Sequence, residues 1–185
     1  MQEYLDILDK DGNFLGQSVS KNDVHSEGFF HNTAHVWFYT QNGEVLLAQR
    51  AATKSICPLL WDVSVAGHVD AGETIESAAI RETQEEIDLT ITEQELIKIG
   101  VFPCFQSYDN GITDNEFHHT FIVELKQDLN SLTPQPHEVE ALKLVSTEAF
   151  NTLLEQSDTN GHFVASNSSY YLTILDAIKK QIQQL

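Results

Sequence analysis

Basic residues are scarce in this chain. Its 185 residues include 10 Lys and Arg against 28 Asp and Glu, a formal charge of −18. Nucleic acid and anionic membrane both demand a cationic face, so the balance argues against either as a main partner. Cysteine is scarcer still. Cys57 and Cys104 stand alone, in no CxxC pair, and read as free thiols of a reducing cytosol, buried as small hydrophobes rather than catalytic. No apolar run approaches the roughly 18 residues that cross a membrane. The N-terminus, Met-Gln-Glu-Tyr-Leu-Asp, is acidic and lacks the apolar segment of a signal peptide. A cytoplasmic protein is therefore expected. No repeat, low-complexity tract or linker rich in Gly, Ser or Pro divides the chain. Residues 1–185 are read as one domain, with 1–30 an N-terminal hairpin extension and 146–185 C-terminal helices. What remains is a globular composition, 41% apolar and 21% charged.

Turn signals and periodicity then place the elements. Tyr4 to Leu8 and Phe14 to Val19 flank the turn-like Lys10-Asp-Gly-Asn13, and read as a hairpin. His35 to Thr40 and Val45 to Gln49 flank Gln41-Asn42-Gly43-Glu44, a strong hairpin signal. Trp61 to Ala66 reads as a short strand, and Thr74 to Ile87 as a helix with Ile80, Thr83 and Ile87 turned inward. Leu96 to Phe105, Glu116 to Lys126 and Val139 to Val145 read as further strands, with a loop at Asn130 to His137. Ser146 caps a helix through Leu154, and Ser168 or Ser169 caps a last helix towards Leu185.

The strongest chemical signal lies between residues 67 and 89. A glycine loop, Gly67-His-Val-Asp-Ala-Gly-Glu73, leads to Arg81-Glu82-Thr-Gln-Glu85-Glu86-Ile-Asp-Leu89. Positions 82, 85 and 86 are related by i,i+3 and i,i+4, so three carboxylates share one helical face. Such like charges repel and raise each other's pKa values. A divalent cation neutralises them best, and oxygen-only ligands favour Mg²⁺ or Mn²⁺ over zinc. The plain alternative is a solvated acidic face.

This spacing resembles the Nudix box, G-x5-E-x7-R-E-U-x-E-E-x-G-U, with U a bulky apolar residue. Gly67, Glu73, Arg81, Glu82, Glu85, Glu86 and Leu89 match. Thr83 replaces an apolar residue and Asp88 a glycine, which bears on the helix C-cap. The resemblance implies an α/β/α sandwich with a mixed sheet and a catalytic loop-helix-loop. It also implies metal at Glu82, Glu85, Glu86 and the Gly67 carbonyl, and a structural pair of Glu73 with Arg81. The activity implied is metal-dependent hydrolysis of a small-molecule diphosphate, such as a nucleoside diphosphate derivative. Glu85, then Glu116, are the candidate bases. Oligomeric state is open, a homodimer included, and so is the substrate, whose specificity is expected in the loops 106–113 and 130–137.

A second layer is similar to the isopentenyl-diphosphate isomerases and, more closely, to isomerase-like Nudix hydrolases. It comprises Lys21, His25, His31, Arg50, Lys54, Trp61, Gly67-His68 and Asp114-Asn115-Glu116. It implies a diphosphate grip at Lys21, Arg50 and Lys54, and a further metal site at His25, His31, His68, Asp114 and Glu116, where imidazoles suit Zn²⁺ or Mn²⁺. Each histidine alone reads more simply as a hydrogen-bonding residue, and each cation as surface charge. Isomerases carry a catalytic cysteine just before Gly-His. Here Ala66 stands there and cannot move a proton. Hydrolysis is therefore expected over isomerisation, with Cys57 and Cys104 poor substitutes. A non-catalytic ligand sensor is a second rival, opposed by the intact carboxylates, and an interaction domain working through its acidic surface is a third.

Overall fold

A computed structural model describes residues 3–164 and 167–183 of the chain. Asp9 Oδ1 accepts the Asn13 amide at 2.9 Å, closing the expected hairpin of β1 (Tyr4–Leu8) and β2 (Phe14–Ser20). A helix that the sequence reading passed over follows, α1 (Lys21–Glu27), capped by Ser20 and ended by Gly28 at φ 69. Seven residues with one buried apolar side chain, Val24, carry too little periodicity to be read. Then come β3 (Phe30–Tyr39), which starts earlier than expected, and β4 (Glu44–Arg50). Trp61 to Ala66 is not one strand. It divides into β5 (Trp61–Asp62) and β6 (Val65–His68), because Ser64 turns inward, donating to Leu46 O at 2.6 Å and accepting the Phe38 amide at 2.9 Å.

The expected central helix is α2 (Ile75–Ile87), capped by Thr74. Two departures from the family pattern are accommodated there. Thr83 is fully buried and donates its hydroxyl to Ala79 O at 2.7 Å. Asp88 adopts the left-handed cap at φ 54, with its amide on the Gln84 and Thr83 carbonyls. Long strands β7 (Ile97–Ser107) and β8 (Thr113–Glu124) lead to β9 (Val139–Ser146), α3 (Thr147–Glu155), the single turn α4 (Ser157–Asn160) and α5 (Ser168–Gln183). Positions 184 and 185 of the expected last helix lie outside the described residues.

The sheet is mixed: β3 and β8 run parallel over ten pairs from Phe30↔Asn115 to Tyr39↔Glu124, and the other pairings are antiparallel. Strands β3 and β4 meet only at Tyr39↔Val45 and then part. β3 turns to β6 and β8, and β4 to β5 and β9. Alternation sorts the core into two layers. Ala34, Val36, Phe38, Leu46, Phe121 and Val123 face Ala78, Ala79 and Ile87 of α2. Trp37, Tyr39, Val45, Leu47 and Ile122 face Phe150 and Leu154 of α3 and Tyr170, Ile174 and Ile178 of α5. This is the expected α/β/α sandwich. The N-terminal hairpin and α1 form a small core of their own, Leu5, Ile7 and Val24. They are tied to the glycine loop through Ala71 N to Tyr4 O at 2.8 Å and Gly72 N to Asp6 Oδ2 at 3.1 Å.

Candidate active site

A cleft of about 900 Å³ is lined by β3, β6 and β8 and by the C-terminal half of α2. Two clusters of titratable side chains meet in it. The first comes from α2. Gly67 leaves room for Glu82: a Cβ there would lie 1.9 Å from Glu82 Cδ and displace that carboxylate. The missing side chain lets the α2 carboxylates reach the cleft from the far side of the sheet. Arg81 organises the rest. Its guanidinium holds Glu73 by two bonds, Nε to Oε1 at 3.1 Å and Nη2 to Oε2 at 2.8 Å. It also donates to His68 O at 2.9 Å, Glu82 at 2.7 Å and Glu85 at 3.3 Å. Arg81 thereby joins loop and helix.

The three carboxylates are not equivalent. Glu86 is 6% exposed, and burial, then Glu82 and Glu138, push its pKa well up. Burial likewise brings Glu82 to about 7. Glu85 is 58% exposed. Mutual repulsion was the expected cause of raised values, but desolvation is the larger one, since the sequence shows spacing and not depth. Buried carboxylates held against a backbone gap, with an opposing arginine already committed, fit a hard divalent cation that would relieve that cost.

The second cluster draws on four elements. His25 comes from α1, His31 from β3, His68 from β6 and Glu116 from β8, with ligand atoms all within 4.8 Å of one another. His25 Nδ1 lies 2.6 Å from Lys21 O and His31 Nδ1 3.0 Å from Phe29 O. Those carbonyls accept the Nδ1 proton and leave the lone pair of each Nε2 directed towards the cluster, where His25 Nε2 lies 3.3 Å from His68 Nε2. His31 Nε2 and Asp114 Oδ1 are buried with no hydrogen-bond partner. Asp114, with a pKa raised by burial to about 6, lies 3.4 Å from His25. Orphaned, converging donors of this kind fit a Zn²⁺ or Mn²⁺ ion. Glu116 turns its other oxygen to His118 Nε2 at 2.8 Å. Burial opposes charge on both, yet the pairing keeps Glu116 well below its usual range and, with Cys104, lifts His118 to about 9. His119 points to the other face, onto Asn32 at 2.9 Å.

The three candidate phosphate ligands all line the cleft. Lys21 pairs with Glu3 at 2.7 Å, Lys54 with Glu138, and Arg50 donates to Ile56 O at 3.0 Å. Glu138 is a site residue the sequence did not single out. It precedes β9 and reaches α2 only because Gln135 N binds Glu86 O at 2.8 Å. The cysteines also differ from expectation: both are half-buried in the cleft wall. Cys104 stands opposite Glu116 in the β7–β8 register, and its Sγ accepts from Asn167 Nδ2 at 3.0 Å. A lone cysteine on an alternating strand carries no sign of which neighbours it meets.

Residues 29–166 match the family model described as the NUDIX domain. The chain is 32% identical to Nudix hydrolase 3 of Arabidopsis thaliana over 98% of its own length, but spans only 24% of that protein. It is 34% identical to an isopentenyl-diphosphate Delta-isomerase of Photorhabdus laumondii, covering 66% of this chain and 67% of that one. A crystal structure of a Deinococcus radiodurans protein superposes with a TM-score of 0.68 at 18% identity, covering 96% of this chain and 98% of the other.

Proposed function

The chain belongs to the Nudix family, and on that premise we propose that it hydrolyses a diphosphate linkage in a small organic molecule, a nucleoside diphosphate derivative or a relative of one. The observation that supports this best is the arrangement of Glu82 against Gly67 with Arg81 bound to Glu73. It assembles buried carboxylates beside a cleft that also holds three cations.

Glu82, Glu85 and Glu86, with the Gly67 carbonyl, would hold Mg²⁺ or Mn²⁺, which when bound neutralises phosphate charge and acidifies a coordinated water. Lys21, Arg50 and Lys54 bind and orient the diphosphate, Arg50 as a fork and the lysines as point charges. Glu85 is the proposed base. It is the exposed member of the three and its bond to Arg81 is the longest of those Arg81 makes to carboxylates. Glu116 is the second candidate, its carboxylate being shared with His118. Glu73 and Arg81 position loop and helix. His25, His31, His68, Asp114 and Glu116 would hold a further ion. An acidic chain with two free thiols fits a cytoplasmic enzyme of small anions. Among the described residues, no helix is long and apolar enough to cross a membrane.

The test is cleavage of nucleotide sugars, dinucleotides, nucleoside triphosphates, CoA and isopentenyl diphosphate with Mg²⁺ or Mn²⁺, read by chromatography of the phosphomonoester, phosphate or pyrophosphate products. Turnover that Glu85→Gln and Glu86→Gln reduce by ~10² or more is expected. No turnover with retained ligand binding would favour the sensor. Isomerisation of isopentenyl diphosphate, a second reading that the Cys104 thiol opposite Glu116 keeps in the panel, would appear there as the rearranged allylic diphosphate with its P–O–P bond intact.

A further inference from the structure

Asp62 is an acid the chemistry above does not use. It sits on β5 opposite Ala48 of β4, and Arg50, two residues beyond Ala48, shares that face by alternation. Both line the cleft. Asp62 Oδ1 accepts the Val63 amide at 2.8 Å and Oδ2 accepts the Tyr171 hydroxyl at 2.9 Å. Each oxygen thus keeps a lone pair beyond its one donor. Among the described residues no ion pair involves Asp62. Arg50 and His118 act on it only at a distance, and Arg50 Nε is committed to Ile56 O. Burial raises its pKa to about 6, so it is still mainly a carboxylate at pH 7.5. A half-buried carboxylate with no cation paired to it among the described residues is costly unless something with N–H donors meets it. In a cleft, that something is a ligand.

We propose that Asp62 is a specificity residue, which receives an amine or amidine-like N–H group on the organic part of the diphosphate. This rests on the hydrolase reading only in placing the diphosphate at Arg50 and Lys54. From Arg50 the organic group runs along the shared face to Asp62. Cys104 and Asn167, which bond each other at 3.0 Å, and Tyr108 line the same cleft. A hydrocarbon chain would leave the Asp62 carboxylate desolvated with no further donor, and is discriminated against.

Calorimetry with methylenediphosphonate esters reads this without any turnover, because the P–C–P bridge cannot be hydrolysed. The 3-aminopropyl and butyl esters, near-isosteres, are compared in Mg²⁺. Cytidine and uridine 5′-methylenediphosphonates form a second pair, separating an alkylamine from the exocyclic amine of a base. In one pair or both, the amino member is expected to bind about 10-fold tighter or more. Asp62→Asn should shrink that preference below about 3-fold while leaving the butyl or uridine affinity in place. Tyr171→Phe, which removes a neighbour and keeps the carboxylate, should retain the preference. That variant and the wild type decide the matter if Asp62→Asn does not fold. Equal binding within both pairs, or a preference that survives Asp62→Asn, overturns the proposal. Absence of cleavage of true diphosphates would instead count against the hydrolase, and leave the binding result standing.

Discussion

The two clusters in the cleft are built in opposite ways. The α2 carboxylates come from one helix within five residues, use oxygen only, and are clamped by one arginine. The histidine cluster comes from four elements between residues 25 and 116, uses mostly nitrogen, and is oriented by backbone carbonyls. A helix repeats its face every three to four residues, so a short segment can specify a hard-cation site alone. The histidine cluster forms only where separate elements come together. The family pattern is accordingly dense in the first and scattered in the second.

Gly67→Ala is expected to give the largest effect on this contrast. Its Cβ would meet Glu82 Cδ at 1.9 Å, displacing that carboxylate, and turnover should fall by ~10² or more. Steady-state kinetics of the folded variant check it. His31→Ala is expected to lower Zn²⁺ or Mn²⁺ affinity at the histidine cluster by at least about 10-fold, as loss of a ligand should. Mg²⁺-supported turnover should change less than in Gly67→Ala. If both variants lose turnover equally, the clusters work as one unit and the contrast breaks.

The pH dependence of metal-free stability sharpens it further. Glu82 has its pKa raised from 4.5 to about 7, so the folded state holds its proton more tightly than the unfolded state. That contribution is complete below about pH 4.5 and is lost as pH rises to 7, a loss of about 3 kcal/mol at most. Glu86 acts in the same direction. Thermal melts in chelator should therefore fall between pH 5 and 7.5 through this cluster, and Mg²⁺ should restore stability mainly at the higher pH. A metal-free melt unaffected by Glu82→Gln at pH 7.5 would contradict this. The smallest effect is at the helix end, where Asp88→Gly should stabilise by about 0.5–1 kcal/mol by relieving the left-handed cap. Denaturant melts would show it, with turnover little changed.

Much of the helix site was legible beforehand because its residues are neighbours in sequence. The helix itself, the inward Thr83 and Ile87, and the Gly67–Arg81 spacing required only local periodicity, whereas Thr74, read as the first helical residue, turns out to be the cap. Some of the histidine site was legible too, but through resemblance, since nothing local links His25 to Glu116. Helix α1 was missed because it is short. The division at Ser64 was missed because its cause is a bond to Leu46, across the sheet.

By itself, then, the sequence determined an acidic α/β chain with three carboxylates on one helical face and a glycine eight residues before that helix begins. Charge, composition and periodicity are properties of neighbours along the chain. Only the tertiary structure decided how deep each carboxylate lies, that Glu138 joins Lys54, that Cys104 faces the cleft, and that Asp62 has no cation beside it. Those are consequences of strand register and layer packing, which set the local dielectric and the partners of each charge through contacts between residues far apart in sequence.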